Sequence, residues 1–92
     1  MIAIEQVEFL RVKLYLHKGD VAYLLNIARP TYDKWIAQKA RPNSENRNRI
    51  LVVALGMIRA LKSNKYDIIL NSTGLRKATK RAKIVELIEE LV

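Results

Sequence analysis

The chain has two prolines, Pro30 and Pro42, and they restrict its fold more than any other feature. A proline ring removes a backbone donor and clashes with the preceding turn, so a helix can begin near Pro30 but cannot run through Pro42. The residue before a proline is pushed towards extended backbone, which puts Arg29 in a turn. Asn26, just upstream, is one of the few residue types that accept a left-handed backbone. Asn26-Ile27-Ala28-Arg29-Pro30 therefore reads as a tight reversal. On either side of it apolar residues recur at helical spacing: Val21, Leu24 and Leu25 over residues 20–25, then Tyr32, Trp35 and Ile36 over about 30–38. The carboxylate of Asp20 is placed to cap the first of these two helices.

The remaining segments read as helices as well. Residues 4–16 carry apolar groups at Ile4, Val7, Leu10, Val12, Leu14 and Leu16, with Glu5, Glu8, Arg11 and Lys18 on a wet side; the alternation over 12–16 also fits a strand. Gly19 is placed to end this helix in a left-handed conformation. Asn43 or Ser44 caps a fourth helix over about 45–63, apolar nearly all round from 50 to 61, which requires burial on more than one side, in a core or a subunit interface. Residues 64–74 mix turn formers with Tyr66-Asp67-Ile68-Ile69-Leu70, a short helix or a short strand. Ser72 or Thr73 then caps a last helix with Arg76, Lys77, Lys80, Arg81 and Lys83 in its first half and Ile84, Val85, Leu87, Ile88, Leu91 and Val92 in its second. Glu86, Glu89 and Glu90 sit near the unfavourable pole of that helix's dipole, so packing must hold it. The expectation is an all-α, compact five-helix fold, residues 1–92 forming one domain, without repeats or a Pro/Gly/Ser linker.

A chain of 92 residues buries about 60 to 65% of its unfolded surface, enough for one modest core. With no cysteine and a single histidine it has no disulfide framework and cannot build a zinc site unaided. Gly19, Gly56 and Gly74 form no phosphate loop, so the sequence predicts no enzyme, no cofactor and no metal. The longest apolar run, 50–58, is nine residues, against the ~20 that span a bilayer, and the first eight residues carry two glutamates and no cation, unlike a signal peptide. A cytoplasmic protein is expected. Its net charge of +8 is spread along the chain and suits a polyanion, with nucleic acid first, although charge alone does not separate DNA from RNA or anionic lipid.

Two short helices meeting at a tight turn, the second with polar and basic residues opposite an apolar face, have helix-turn-helix geometry. The run from Val21 to Trp35, with Arg29-Pro30-Thr31 in its turn, followed by Lys39-Ala40-Arg41-Pro42, resembles the Cro and lambda-repressor (XRE-type) DNA-binding family over roughly residues 17–61. The family pattern has glycine where Asn26 stands, a capping serine at Ala28, and glutamate and glycine at Ile36 and Gln38. The resemblance implies a lambda-repressor-like core at about 20–38, with helix 30–38 lying in the major groove of double-stranded DNA.

The same resemblance implies base reading by Arg29, Pro30, Thr31, Asp33 and Lys34. Helical angles agree, since Tyr32, Trp35 and Ile36 turned inward leave Pro30, Asp33, Lys34 and Ala37 outward. Arg29 and Lys34 can donate to guanine and Asp33 can accept from cytosine. Phosphate anchoring is implied for Lys18, Gln38, Lys39, Arg41 and Arg47, with Arg49 a further candidate. The basic residues at 76–83 read more simply as a solvated face. The expected function is a sequence-specific transcriptional regulator of prokaryotic or phage type, acting as a homodimer: a repressor, with its own promoter as one candidate target, while activation through polymerase contact stays open. The alternative is a protein-interaction module, such as the antitoxin of a toxin–antitoxin pair, whose carboxyl-terminal extension, 64–92, pairs subunits or binds a partner.

Overall fold

The computed structural model describes residues 4–92 as α1 (Ile4–Lys13), α2 (Lys18–Leu25), α3 (Arg29–Ile36), α4 (Ser44–Leu61), α5 (Asn64–Leu70) and α6 (Lys77–Leu91), with no strand among the described residues. Residues 1–3, part of the amino-terminal stretch read above, lie outside the described residues. The fold is all-helical as expected, but with six helices rather than five, because 64–70 is a helix. Ser63 caps it by accepting from the Lys65 N–H, and buried Tyr66 anchors it by donating its hydroxyl to the Lys13 carbonyl at 3.1 Å.

Several boundaries differ from the sequence reading. Helix α1 ends at Lys13, and Tyr15, not Gly19, takes the left-handed conformation (φ 60°). Leu14 and Leu16 both turn inward around it, which explains the strand-like alternation of that stretch. Gly19 is inside α2. Asp20 is not the residue that caps α2 from outside: it sits in the first turn and reaches back to accept from the His17 N–H at 2.8 Å, half of a capping box. Arg76, rather than Ser72 or Thr73, precedes α6 and supplies no side-chain cap. Asn43 caps α4 as expected, accepting from the Asn46 N–H at 2.9 Å.

One helix organises the rest. Helix α4 buries Ile50, Val53, Ala54, Gly56, Met57 and Ala60, and it packs against α1, α2, α5 and α6. The α6 contact is the closest. A Cβ placed on Gly56 would stand 2.5 Å from Val92 Cγ1 and 3.3 Å from the Ile88 carbonyl, so the two backbones meet where glycine alone fits without displacement. Ile84, Val85, Leu87 and Ile88 are all buried in the core. The acidic end of α6 is held in addition by Arg59, which donates to the Leu91 carbonyl at 2.9 Å, and by the Lys65–Glu90 ion pair. Residues 64–92 are thus part of the core and not an appendage to it.

A larger side chain at 56 must push α6 away. Gly56→Leu is expected to lower unfolding stability by about 1–3 kcal/mol in urea titration, the usual range for overpacking. An unchanged midpoint would show that α6 can move aside freely.

Candidate nucleic-acid interface

The turn between α2 and α3 is built from backbone chemistry. Asn26 adopts φ 57°, ψ 45°, and the reversal is closed by Ile27 N–H donating to the Ala22 carbonyl at 3.0 Å, which satisfies an unpaired carbonyl at the end of α2. Ala28, not Arg29, is the extended residue; its carbonyl accepts from Thr31 and Tyr32, so Arg29 already opens α3 and Pro30 follows in the first turn. Ala28 provides no side-chain cap, and the preset φ of Pro30 is the local device that starts the helix.

Helix α3 turns Tyr32 and Trp35 into the core and leaves Arg29, Pro30, Asp33, Lys34 and Ala37 exposed, with Thr31 half-buried. It ends at Ile36, two residues short of the expected boundary. Gln38 follows with φ 60°, a conformation glycine adopts most readily, and Lys39 N–H closes the reversal on the Lys34 carbonyl at 2.9 Å.

The anchoring of α3 to α1 was not visible in the sequence. Glu8 and Arg11, expected on a wet side, are half-buried and paired: Arg11 donates to both Glu8 carboxylate oxygens at 2.6 and 3.0 Å and to the Leu16 carbonyl at 2.8 Å. The Tyr32 hydroxyl donates to the same carboxylate at 2.8 Å. Burial alone would raise the Glu8 pKa, yet the hydrogen bonds from Arg11 and Tyr32, with the neighbouring positive charges, hold it below the ordinary 4.5. Burial and the Glu8 charge together push the Tyr32 phenol far above its ordinary range. A buried tyrosine spaced to face α1 was the one signal that could have pointed to this network.

The residues expected to meet phosphate divide into two groups. Lys39 and Arg41 are exposed in the loop between α3 and α4. Lys18, at the start of α2, lies 3.9 Å from Asp33, a partly exposed pair that links the two helices of the motif. Gln38 reaches Glu5 at 3.5 Å, and Arg47 bonds locally to the Pro42 carbonyl and the Ser44 hydroxyl. Arg49 is committed elsewhere: it donates twice to the Leu24 carbonyl, at 3.2 and 2.9 Å, and so closes the end of α2 against α4. Among the described residues no group of three or more His, Cys, Asp or Glu side chains gathers to hold a metal ion, and no helix is long and apolar enough to cross a membrane.

Comparison with known proteins finds no family model, no curated protein and no solved structure that matches this chain.

The Glu8 network makes a pH-dependent prediction. Tyr32→Phe removes a hydrogen bond to a charged acceptor and is expected to lose about 1.5–3 kcal/mol near neutral pH. Because the folded pKa of Glu8 is depressed, its contribution is present above the unfolded value of about 4.5 and lost as pH falls through the lower folded value. Urea titrations of both proteins should therefore show the gap narrowing in acid; a gap independent of pH would mean that Tyr32 acts through packing alone.

Proposed function

We propose that the chain is a sequence-specific double-stranded DNA-binding regulator that inserts α3 in the major groove. The observation that carries this reading is the posture of α3. It is held from behind by Tyr32 and Trp35, its path is fixed by left-handed residues at Asn26 and Gln38, and its outward side carries Arg29, Pro30, Asp33 and Lys34. In this role Lys34 and Arg29 donate to base edges, while Lys39 and Arg41, on the adjoining loop, meet phosphate. Lys18 has a double part. Its pairing with Asp33 offsets an acidic charge that would otherwise face the DNA backbone.

A second copy completes the reading, since one recognition helix touches few base pairs and dimers of such proteins read half-sites about 34 Å apart. The surface proposed for pairing is the outer side of α4, where Leu51, Val52 and Leu55 remain about 40% exposed. An autoregulatory repressor would need nothing more than occupancy of its own promoter. The interaction-module alternative has less to build on, because the apolar half of α6 is already covered within the chain.

Fluorescence anisotropy with the duplex upstream of the chain's own gene and a shuffled control, over a salt series, tests the proposal. Lys34→Ala should lose about 1–3 kcal/mol of discrimination at one base position. Lys39→Ala should weaken both duplexes alike and reduce the salt slope by about 1. Discrimination that survives Lys34→Ala would remove α3 from the groove.

A further inference from the structure

A groove of roughly 510 Å³ opens between the end of α1, the end of α5 and the start of α6, on a different part of the surface from the outward side of α3. Its volume falls in the range of small-molecule sites, about 300–1,000 Å³. The walls are apolar: Val12, Tyr15, Leu16, Leu70 and Ile84. Cations rim them. Arg11 is neutralised by Glu8 and Arg81 is near Asp20, but no acid pairs with Lys77 or Lys80 among the described residues, so the rim keeps a positive excess. Lys80 is drawn inward, donating to the Leu70 carbonyl at 2.8 Å.

The two rims of the groove differ. Arg81 is turned away from solvent, its buried Nε 3.5 Å from the Asp20 carboxylate, so its charge is met by the first turn of α2. At the opposite rim Tyr15, the left-handed corner after α1, is 66% exposed, beside Val12 at 60%.

We propose that the groove binds a small amphipathic carboxylate: an apolar tail against Val12, Tyr15 and Leu70, and a carboxylate held by Lys77 and Lys80. Charge complementarity selects this occupant. A DNA backbone has no apolar body to cover Val12 and Leu70, and a second copy of the chain brings the same positive excess. The site also has a route to the DNA-binding helices, because His17, which lines the groove, is the residue on which α2 begins, and Arg81 faces the Asp20 that closes that first turn. An effector role rests on the DNA-binding reading above; the site itself does not.

Calorimetric titration of the full chain with decanoate and with decyltrimethylammonium, which share a tail and differ in the sign of the head, tests the site. Decanoate should bind saturably at one site and at least about tenfold more tightly than the cation. Val12→Asp and Lys77→Gln alter exposed side chains, so circular dichroism melts should stay near the parent, while decanoate binding falls about tenfold in the first and several-fold in the second. Equal binding of the two amphiphiles, no saturable binding, or binding indifferent to Val12→Asp would overturn the proposal. Anisotropy on the cognate duplex with decanoate present reads the effector role separately: a shifted DNA affinity supports it, and an unshifted affinity with decanoate bound refutes that role and leaves the site standing.

Discussion

Gly56 lets α4 and α6 approach until an added methyl group would displace the Val92 side chain and press on the Ile88 carbonyl, and α4 is the helix on which most of the molecule packs. Close backbone approach is how so short a chain obtains a dense interior: it brings the apolar second half of α6 onto a helix that already faces α1, α2 and α5. Small domains bury a modest fraction of their surface, so no part of α4 can be given up without loss elsewhere. The near-continuous apolar stretch in α4, which the sequence leaves open between a core and an interface, is mostly explained by this one role. What remains outward, at Leu51, Val52 and Leu55, is a narrow stripe.

The α2–α3 pair is fastened to this frame by polar groups as well as by apolar contact. Glu8 gathers Arg11 from its own helix and Tyr32 from α3, and Arg49 of α4 closes the carbonyl end of α2. Such bonds are directional, and a half-buried carboxylate with three donors fixes orientation more narrowly than a leucine pair can. The exposed side of α3 inherits that rigidity. Side chains presented from a fixed helix lose less freedom on meeting a surface than those presented from a loop.

Much of this was legible in the chain, and the rest was hidden for identifiable reasons. Pro30, Asn26 and Asn43 constrain the backbone by their own chemistry, so the turn and the start of α4 could be read locally, whereas α3 stops before Pro42 requires it, at the left-handed Gln38. The inward side of α3 followed from spacing. Tyr15 could not be foreseen as a corner, because its conformation is imposed by the burial of Leu14 and Leu16 on either side, and Gly19 was the more obvious breaker. Glu8, Arg11 and Arg49 look like solvated charges in sequence, and only tertiary packing supplies their partners. Helix α5 depends in the same way on Tyr66 reaching α1.

The corners after α1, α2 and α3 share one construction: Tyr15, Asn26 and Gln38 are left-handed, and each is followed by an amide that closes on a carbonyl five residues back. Glycine would adopt that backbone at little steric cost, whereas tyrosine and glutamine hold it only because their surroundings insist. The chain therefore keeps unclaimed stability at its bends, outside both its core and the outward side of α3. Substitutions elsewhere in the chain, which most often weaken a fold, have compensation available at these corners. In such a molecule the exposed side chains can change while the scaffold stays above its threshold for folding.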